Sequence, residues 1–88
     1  MDTPKLYIKP GCPWCREAQT WLDKQGLKYD LRDITSNRDD FARMQQISGQ
    51  TKTPTFEYGD FVVPDFDVAE FQAAVDEAPD IKAKLGLL

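Results

Sequence analysis

The sequence contains no histidine and only two cysteines among its 88 residues. Without imidazole, Cys-His metal sites and His-based catalysis are excluded. Long apolar runs are also missing: no window approaches the roughly 18 apolar residues of a membrane span, and Met1 to Pro10 lacks the apolar centre of a signal peptide. The expected address is the cytoplasm, where thiols stay reduced, so two cysteines point to catalysis or metal binding before a structural staple. Positive charge is in short supply, with 11 Lys and Arg against 15 Asp and Glu and a formal net charge of -4. Such a chain offers no attractive field to nucleic acid or to an anionic membrane.

What is present, 41% hydrophobic and 30% charged residues, suits a single globular domain over residues 1–88. There is no repeat, low-complexity tract or linker. "KLYI" (Lys5 to Ile8) is a short β-rich run that Pro10-Gly11 stops, and Pro13 favours the first position of a helix. In that helix Trp14, Ala18, Trp21, Leu22 and Gln25 fall near one stripe, and Gly26 is a natural stop. "KYDLRDI" (Lys28 to Ile34) predicts a second strand with Tyr29, Leu31 and Asp33 on one side. Ser36 with Asp39, or Asn37 with Asp40, caps a second helix that runs to about Ser48 with Phe41, Met44 and Ile47 inward. "TFEY" and "FVV" read as a hairpin through Gly59-Asp60. Asp65 or Asp67 caps a third helix with Val68, Phe71, Ala74 and Val75 inward, and Pro79 starts a final turn through Leu85. The order βαβαββα predicts an α/β fold: a four-stranded mixed sheet, flanked by helices on both faces, with its first two strands parallel and the closing hairpin antiparallel.

On this reading Cys12 lies at the end of a strand and the mouth of a helix, where unpaired backbone N–H groups stabilise a thiolate. Lys9 adds a positive charge three residues upstream. Cys15 falls one turn further along the same helical face, close enough to attack a disulfide formed on Cys12. The spacing therefore supplies a nucleophile and a resolving thiol. A bare CxxC is also half of a zinc site, but two protein ligands fall short of the usual four. Lys9 and Arg16 both have a plain reading as solvated surface charges, Trp14 as an exposed aromatic, Pro54 as an ordinary trans proline and Asp67 as a helix cap.

At these residues the chain resembles the glutaredoxins of the thioredoxin superfamily, over about Lys5 to Val75. The family signature is a lysine, two residues, then C-P-[YFW]-C; "KPGCPWC" (Lys9 to Cys15) matches it. "GQTKTPTF" (Gly49 to Phe56) places Pro54 where the family has a cis-proline, with Thr53 for the usual valine and Lys52 for threonine. The segment "VPDFDVAEF" (Val63 to Phe71) departs from the family's G-G-x-[DS]-D: Pro64 and Asp65 replace both glycines, and Val68 stands where a carboxylate for glutathione's amine is expected.

The resemblance implies a thioredoxin-like fold and a thiol-disulfide oxidoreductase, with Cys12 as nucleophile and Cys15 as resolving thiol. It also implies glutathione as co-substrate, with no bound cofactor or metal. Lys9, Trp14, Thr53 and Pro54 would hold glutathione, with the Phe66 and Asp67 amides taking its γ-glutamyl carboxylate. The implied partners are disulfide-containing or glutathionylated proteins, and the chain is expected to act as a monomer. Two alternatives stay open: reduction by thioredoxin reductase, and an iron-sulfur carrier in which Cys12 and glutathione from two chains bridge a cluster. A glutathione transferase would need an appended all-helical domain, for which a chain ending at Leu88 is expected to leave no room.

Overall fold

Strand β1 (Lys5–Ile8) is the centre of the molecule because both of its sides are buried: Leu6 and Ile8 point to one face of the sheet and Tyr7 to the other. The computed structural model describes residues 3–87. After β1 follow α1 (Pro13–Lys24), β2 (Asp30–Asp33), α2 (Arg38–Ser48), β3 (Thr55–Tyr58), β4 (Phe61–Val63), α3 (Val68–Asp76) and α4 (Pro79–Lys84). The strands lie in the order β2-β1-β3-β4. β1 pairs in parallel with β2 and antiparallel with β3, and β3 pairs antiparallel with β4. This is the mixed sheet expected from the sequence, extended by a fourth short helix where a final turn was expected.

One face carries the main core, in which Leu6, Ile8, Phe56 and Tyr58 meet Cys15, Ala18 and Leu22 of α1 and Phe71 and Val75 of α3. Phe71 is the hub. Its ring lies 4.8 Å from that of Phe56, 5.2 Å from Phe66 and 5.8 Å from Trp21. It thereby joins β3, the segment before α3, and α1. Burying an aromatic of this size contributes roughly 3 kcal/mol or more. On the opposite face Tyr7, Thr55 and Glu57 lie under α2, whose Met44 is fully buried. The buried Glu57 carboxylate accepts hydrogen bonds from Tyr7 Oη and Arg43 Nη2, both at 2.7 Å.

Two expected inner faces need correction. In α1 the buried row is Cys15, Ala18 and Leu22, with Trp21 at its margin, while Trp14 and Gln25 are exposed. A helix started by Pro13 and set with Cys15 inward turns Trp14 outward. In β2, Leu31 shares the face of its register partner Leu6 yet is 47% exposed. The core is concentrated over β1 and β3, and the outer strand lies beyond it. Beside it, Arg32 bonds Asp30 and, on α2, Asp40.

The caps fall among the expected candidates. Asn37 begins α2, its Oδ1 accepting from the Asp39 and Asp40 amides, and Gly49 ends it at φ 70°. Asp67 begins α3, and Asp65 instead takes the left-handed conformation at φ 47°.

Candidate active site

The strand-to-helix turn places Cys12 at the N-cap of α1, in extended backbone just ahead of Pro13. Its Sγ accepts the Cys15 N–H at 3.2 Å, so one of the orphan donors of the helix mouth points at sulfur. Cys12 and Cys15 are joined as a disulfide, with Cα atoms 5.2 Å apart. Cys12 is 8% exposed and Cys15 only 2%. Both are buried, and of the two residues Cys12 is the more exposed, because Cys15 sits on the core-facing row of α1.

Two other segments close around this turn. The Thr53–Pro54 peptide bond is cis, as the family resemblance implies. The buried Thr53 brings Oγ1 to 3.7 Å and its carbonyl oxygen to 3.8 Å from Cys12 Sγ. The hydroxyl can donate to sulfur in either redox state, whereas the carbonyl gains a donor only when Cys12 is reduced to a thiol. Pro54 in turn accepts the Phe66 N–H at 3.3 Å, which ties the proline loop to the segment entering α3. The chain thus joins positions 12, 53 and 66, far apart in sequence, into one surface.

Trp14, 56% exposed, stands over one side of that surface. Together with Asp65, Phe66, Asp67 and Glu70 it lines an open cavity of about 250 Å³. The Phe66 ring itself packs in the core against Phe71. A larger hollow of about 470 Å³ along α1, bounded by Pro13, Arg16, Glu17, Thr20, Trp21, Lys24 and Val68, is lined by neither cysteine. Lys9 and Lys52 are exposed, and among the described residues neither is in a salt bridge. Among the described residues there is also no group of three or more Cys, Asp or Glu side chains arranged to hold a metal ion.

The structure brings Cys12, Cys15, Thr53 and Pro54 together at the disulfide, ties the Phe66 backbone to Pro54, and places Trp14 with Asp67 on a separate open cavity that also includes Phe66. It also shows what sequence reasoning missed. The Asp67 N–H is bonded to Glu70 Oε1 at 2.9 Å, and the Glu70 N–H to Asp67 Oδ1 at 2.7 Å, a reciprocal capping box. The D-x-x-E spacing from Asp67 to Glu70 is its sequence signal. The two amides assigned to the γ-glutamyl carboxylate therefore both have partners inside the chain.

The glutaredoxin family model matches residues 5–63. Among curated proteins, a glutaredoxin of Neisseria meningitidis is 34% identical over 67 residues, covering 75% of this chain and 79% of that protein. The gene 56 protein of Mycobacterium phage D29 is 34% identical over 55 residues, 61% of each chain. The solution structure of a glutaredoxin from Brucella melitensis matches with a TM-score of 0.68 at 29% identity, over 100% of this chain and 95% of that one. A buckwheat glutaredoxin-glutathione complex matches with a TM-score of 0.70 at 16% identity, over 97% of this chain and 80% of that one.

Proposed function

The chain belongs to the glutaredoxin family of thiol-disulfide oxidoreductases, and from that membership we propose that it reduces protein disulfides and glutathione mixed disulfides with glutathione as electron donor. The observation that carries the reading is Cys12 at the N-cap of α1. Its sulfur receives the Cys15 N–H and lies beside Thr53 at the cis-proline.

The chemistry starts from the reduced dithiol. Cys12 thiolate attacks one sulfur of a substrate disulfide; a Cys12 mixed disulfide forms and the other sulfur leaves as a thiolate that takes up a proton. Cys15 then attacks Cys12 Sγ and frees the second substrate thiol, leaving the Cys12–Cys15 disulfide. Two glutathione molecules restore the dithiol. The first attacks Cys12 Sγ and releases Cys15, and the second takes the bound glutathione away as glutathione disulfide. When the substrate is itself a glutathione mixed disulfide, that last step alone completes the cycle and Cys15 is dispensable.

In this reading the Lys9 ammonium attracts anionic thiol substrates and Trp14 covers their apolar part, while the backbone of Thr53 beside Pro54 aligns the substrate's cysteine. Phe66 and Asp67 mark where the γ-glutamyl end would reach. That a glutaredoxin of the same fold is known as a glutathione complex supports the choice of donor. Cysteine usage favours a reducing compartment, the cytoplasm, and no helix among the described residues is long and apolar enough to cross a membrane. The same reading takes the chain, whose core runs from Leu6 to Leu87, as one domain acting as a monomer on glutathionylated or disulfide-bonded proteins.

A second reading, reduction by thioredoxin reductase, is favoured by one observation: the Phe66 and Asp67 amides already have partners in the chain. A coupled assay separates the two. A glutathione mixed disulfide is offered with glutathione, glutathione reductase and NADPH, and in parallel an oxidised protein substrate is offered with thioredoxin reductase and NADPH. The proposal expects NADPH consumption in the first. Consumption confined to the second would replace glutathione as the donor.

A further inference from the structure

The Thr53 side chain is almost fully buried, at 5% exposure, and among the described residues its hydroxyl has one hydrogen-bond partner, Cys12 Sγ at 3.7 Å. Burying a hydroxyl costs free energy unless it is well bonded, and a disulfide sulfur is a weak acceptor. Once the disulfide is reduced, the same place holds a thiolate, and hydrogen bonds to an ionised partner are shorter and about twice as strong. The bond therefore stabilises most the state from which Cys12 attacks and to which it returns as a leaving group.

The loop that presents Thr53 is held by one side chain. Gln50, half-buried just past the end of α2, donates through Nε2 to Ser48 Oγ at 2.9 Å and to Thr55 Oγ1 at 3.1 Å, and its Oε1 accepts the Lys52 N–H at 2.6 Å. Thr55 Oγ1 in turn donates to the Lys52 carbonyl at 2.9 Å. Both backbone polar groups of Lys52, one residue before Thr53, are thereby fixed between the end of α2 and the start of β3. Gln50 bonds neither sulfur.

We propose that Thr53 is a further catalytic residue, its hydroxyl donating to the Cys12 thiolate, and that Gln50 is the positioning residue that aims it. The inference rests on the oxidoreductase reading above and deepens it. Of the two donors on Cys12 Sγ, the Cys15 N–H comes with the helix, whereas the hydroxyl is supplied from across the fold. The charged side chains on the segments around Cys12 are those of Lys9, Arg16, Glu17, Lys52, Asp65 and Asp67. None of them bonds its sulfur among the described residues, and exchanging Thr53 for the neutral, similarly shaped valine leaves their charges in place.

The test titrates Cys12 in the reduced protein, through the pH dependence of iodoacetamide alkylation mapped to Cys12 and through ultraviolet thiolate absorbance. Thr53→Val should raise the Cys12 pKa by about one unit, roughly tenfold in acid dissociation. Thr53→Ser, which keeps the hydroxyl, should stay near wild type. At a pH above both values, equilibration with glutathione should move toward the protein disulfide in Thr53→Val by the same factor of roughly ten. In that exchange the Cys12–Cys15 bond breaks and two glutathione sulfurs join. Two electrons pass to the protein, one glutathione proton goes to Cys15 and the other to solvent, and Cys12 is left as thiolate. Gln50→Ala should raise the Cys12 pKa by about half a unit, and should add nothing in the Thr53→Val background because it acts only through the hydroxyl. Were Gln50→Ala to unfold in a melting control, Gln50→Met, of similar length with no donor, takes its place with the same expectation.

Three results would overturn the proposal. One is acid dissociation in Thr53→Val within about twofold of wild type. Another is an equal rise in Thr53→Ser, which would assign the effect to packing of the lost methyl group. The third is a Gln50→Ala shift that persists in full in the Thr53→Val background, which would detach Gln50 from the hydroxyl. None of these readouts needs a substrate disulfide. If the shifts appear but the reduced wild-type protein attacks no disulfide, it is the oxidoreductase reading that falls, and the catalytic role of Thr53 with it.

Discussion

Cys12 and Cys15 carry the same thiol in different surroundings, and the difference assigns their roles. Cys12 lies outside the first turn with a backbone N–H on its sulfur, and Cys15 lies inside it on the buried row of α1. Cys12→Ser is expected to abolish disulfide reduction, whereas Cys15→Ser should retain much of the activity on glutathione mixed disulfides. Alkylation of the reduced protein by iodoacetamide near about pH 6, followed by peptide mass mapping, checks the assignment by labelling Cys12 first; labelling of Cys15 first would reverse it. Asp65 poses a separate question. It holds φ 47° in a position where the family has glycine, and Asp67, not Asp65, caps α3. Asp65→Gly should therefore raise stability by up to about 1 kcal/mol through relief of the left-handed backbone, less what glycine's freedom costs in the unfolded chain. It should also lower the glutathione KM by roughly fivefold at low salt, because like charges about 4 Å apart in water repel by about 1 kcal/mol. Melting temperature and KM measured on the one variant separate the two effects. A fall in melting temperature would restore Asp65 as a cap.

At the scale of elements, α2 shows how little of a helix needs to be apolar when its ends are well held. Only Met44 is buried on it, with Phe41 and Ile47 partly covered. Its start rests on Asn37, whose Oδ1 accepts the Asp39 N–H at 2.9 Å and the Asp40 N–H at 3.1 Å. Asp39 and Asp40 also place negative charge at the positive end of the helix dipole. Asn37→Ala is expected to cost about 1 kcal/mol in chemical denaturation while leaving turnover intact, since α2 contributes no residue to the disulfide surface. Ser36→Ala serves as the control. Its hydroxyl bonds only the exposed Asp33 carboxylate, and a loss equal to that of Asn37→Ala would move the cap to Ser36.

For the whole molecule, the face opposite the core is fixed by one buried carboxylate. Burial alone would raise the Glu57 carboxyl, but hydrogen bonds from Arg43 and Tyr7 and the Arg43 charge outweigh it and hold the group below the usual glutamate range. The same burial, with the bond to Glu57, pushes the Tyr7 phenol well above the usual tyrosine range. A carboxyl depressed in the folded state contributes stability that is complete above its unfolded pKa and is lost as pH falls through the folded one. Stability should therefore decline as pH falls through and below the usual glutamate range, and Glu57→Gln should flatten that decline. Tyr7→Phe removes one of the two bonds. It is expected to cost about 1 kcal/mol at neutral pH and, by raising the folded-state Glu57 pKa toward its unfolded value, to make the acid decline smaller and end it at a higher pH. Urea midpoints across this range check both, and an acid limb identical in wild type and Glu57→Gln would place the titrating group elsewhere.

The sequence by itself determined what depends on short-range chemistry. Pro10-Gly11 and Pro13 set a strand-to-helix turn, Cys12 and Cys15 one helical turn apart set the redox pair, and Ser36 or Asn37, Gly49, and Asp65 or Asp67 marked candidate helix ends, among which the structure selects Asn37 and Asp67. The strand and helix order then left one economical sheet, which the structure has. Tertiary structure alone decided which candidate faces are buried. Leu31 follows the strand alternation but lies beyond the cover of the core, and Trp14 follows the helical stripe but yields its inward place to Cys15. It also decided the wiring of the site, because whether the Phe66 and Asp67 amides are open to a ligand depends on where Pro54 O and the Glu70 carboxylate come to rest. Periodicity gives the direction of a side chain along its own element. It carries no information on what another element places opposite, and that contact fixes both burial and the use of each polar group.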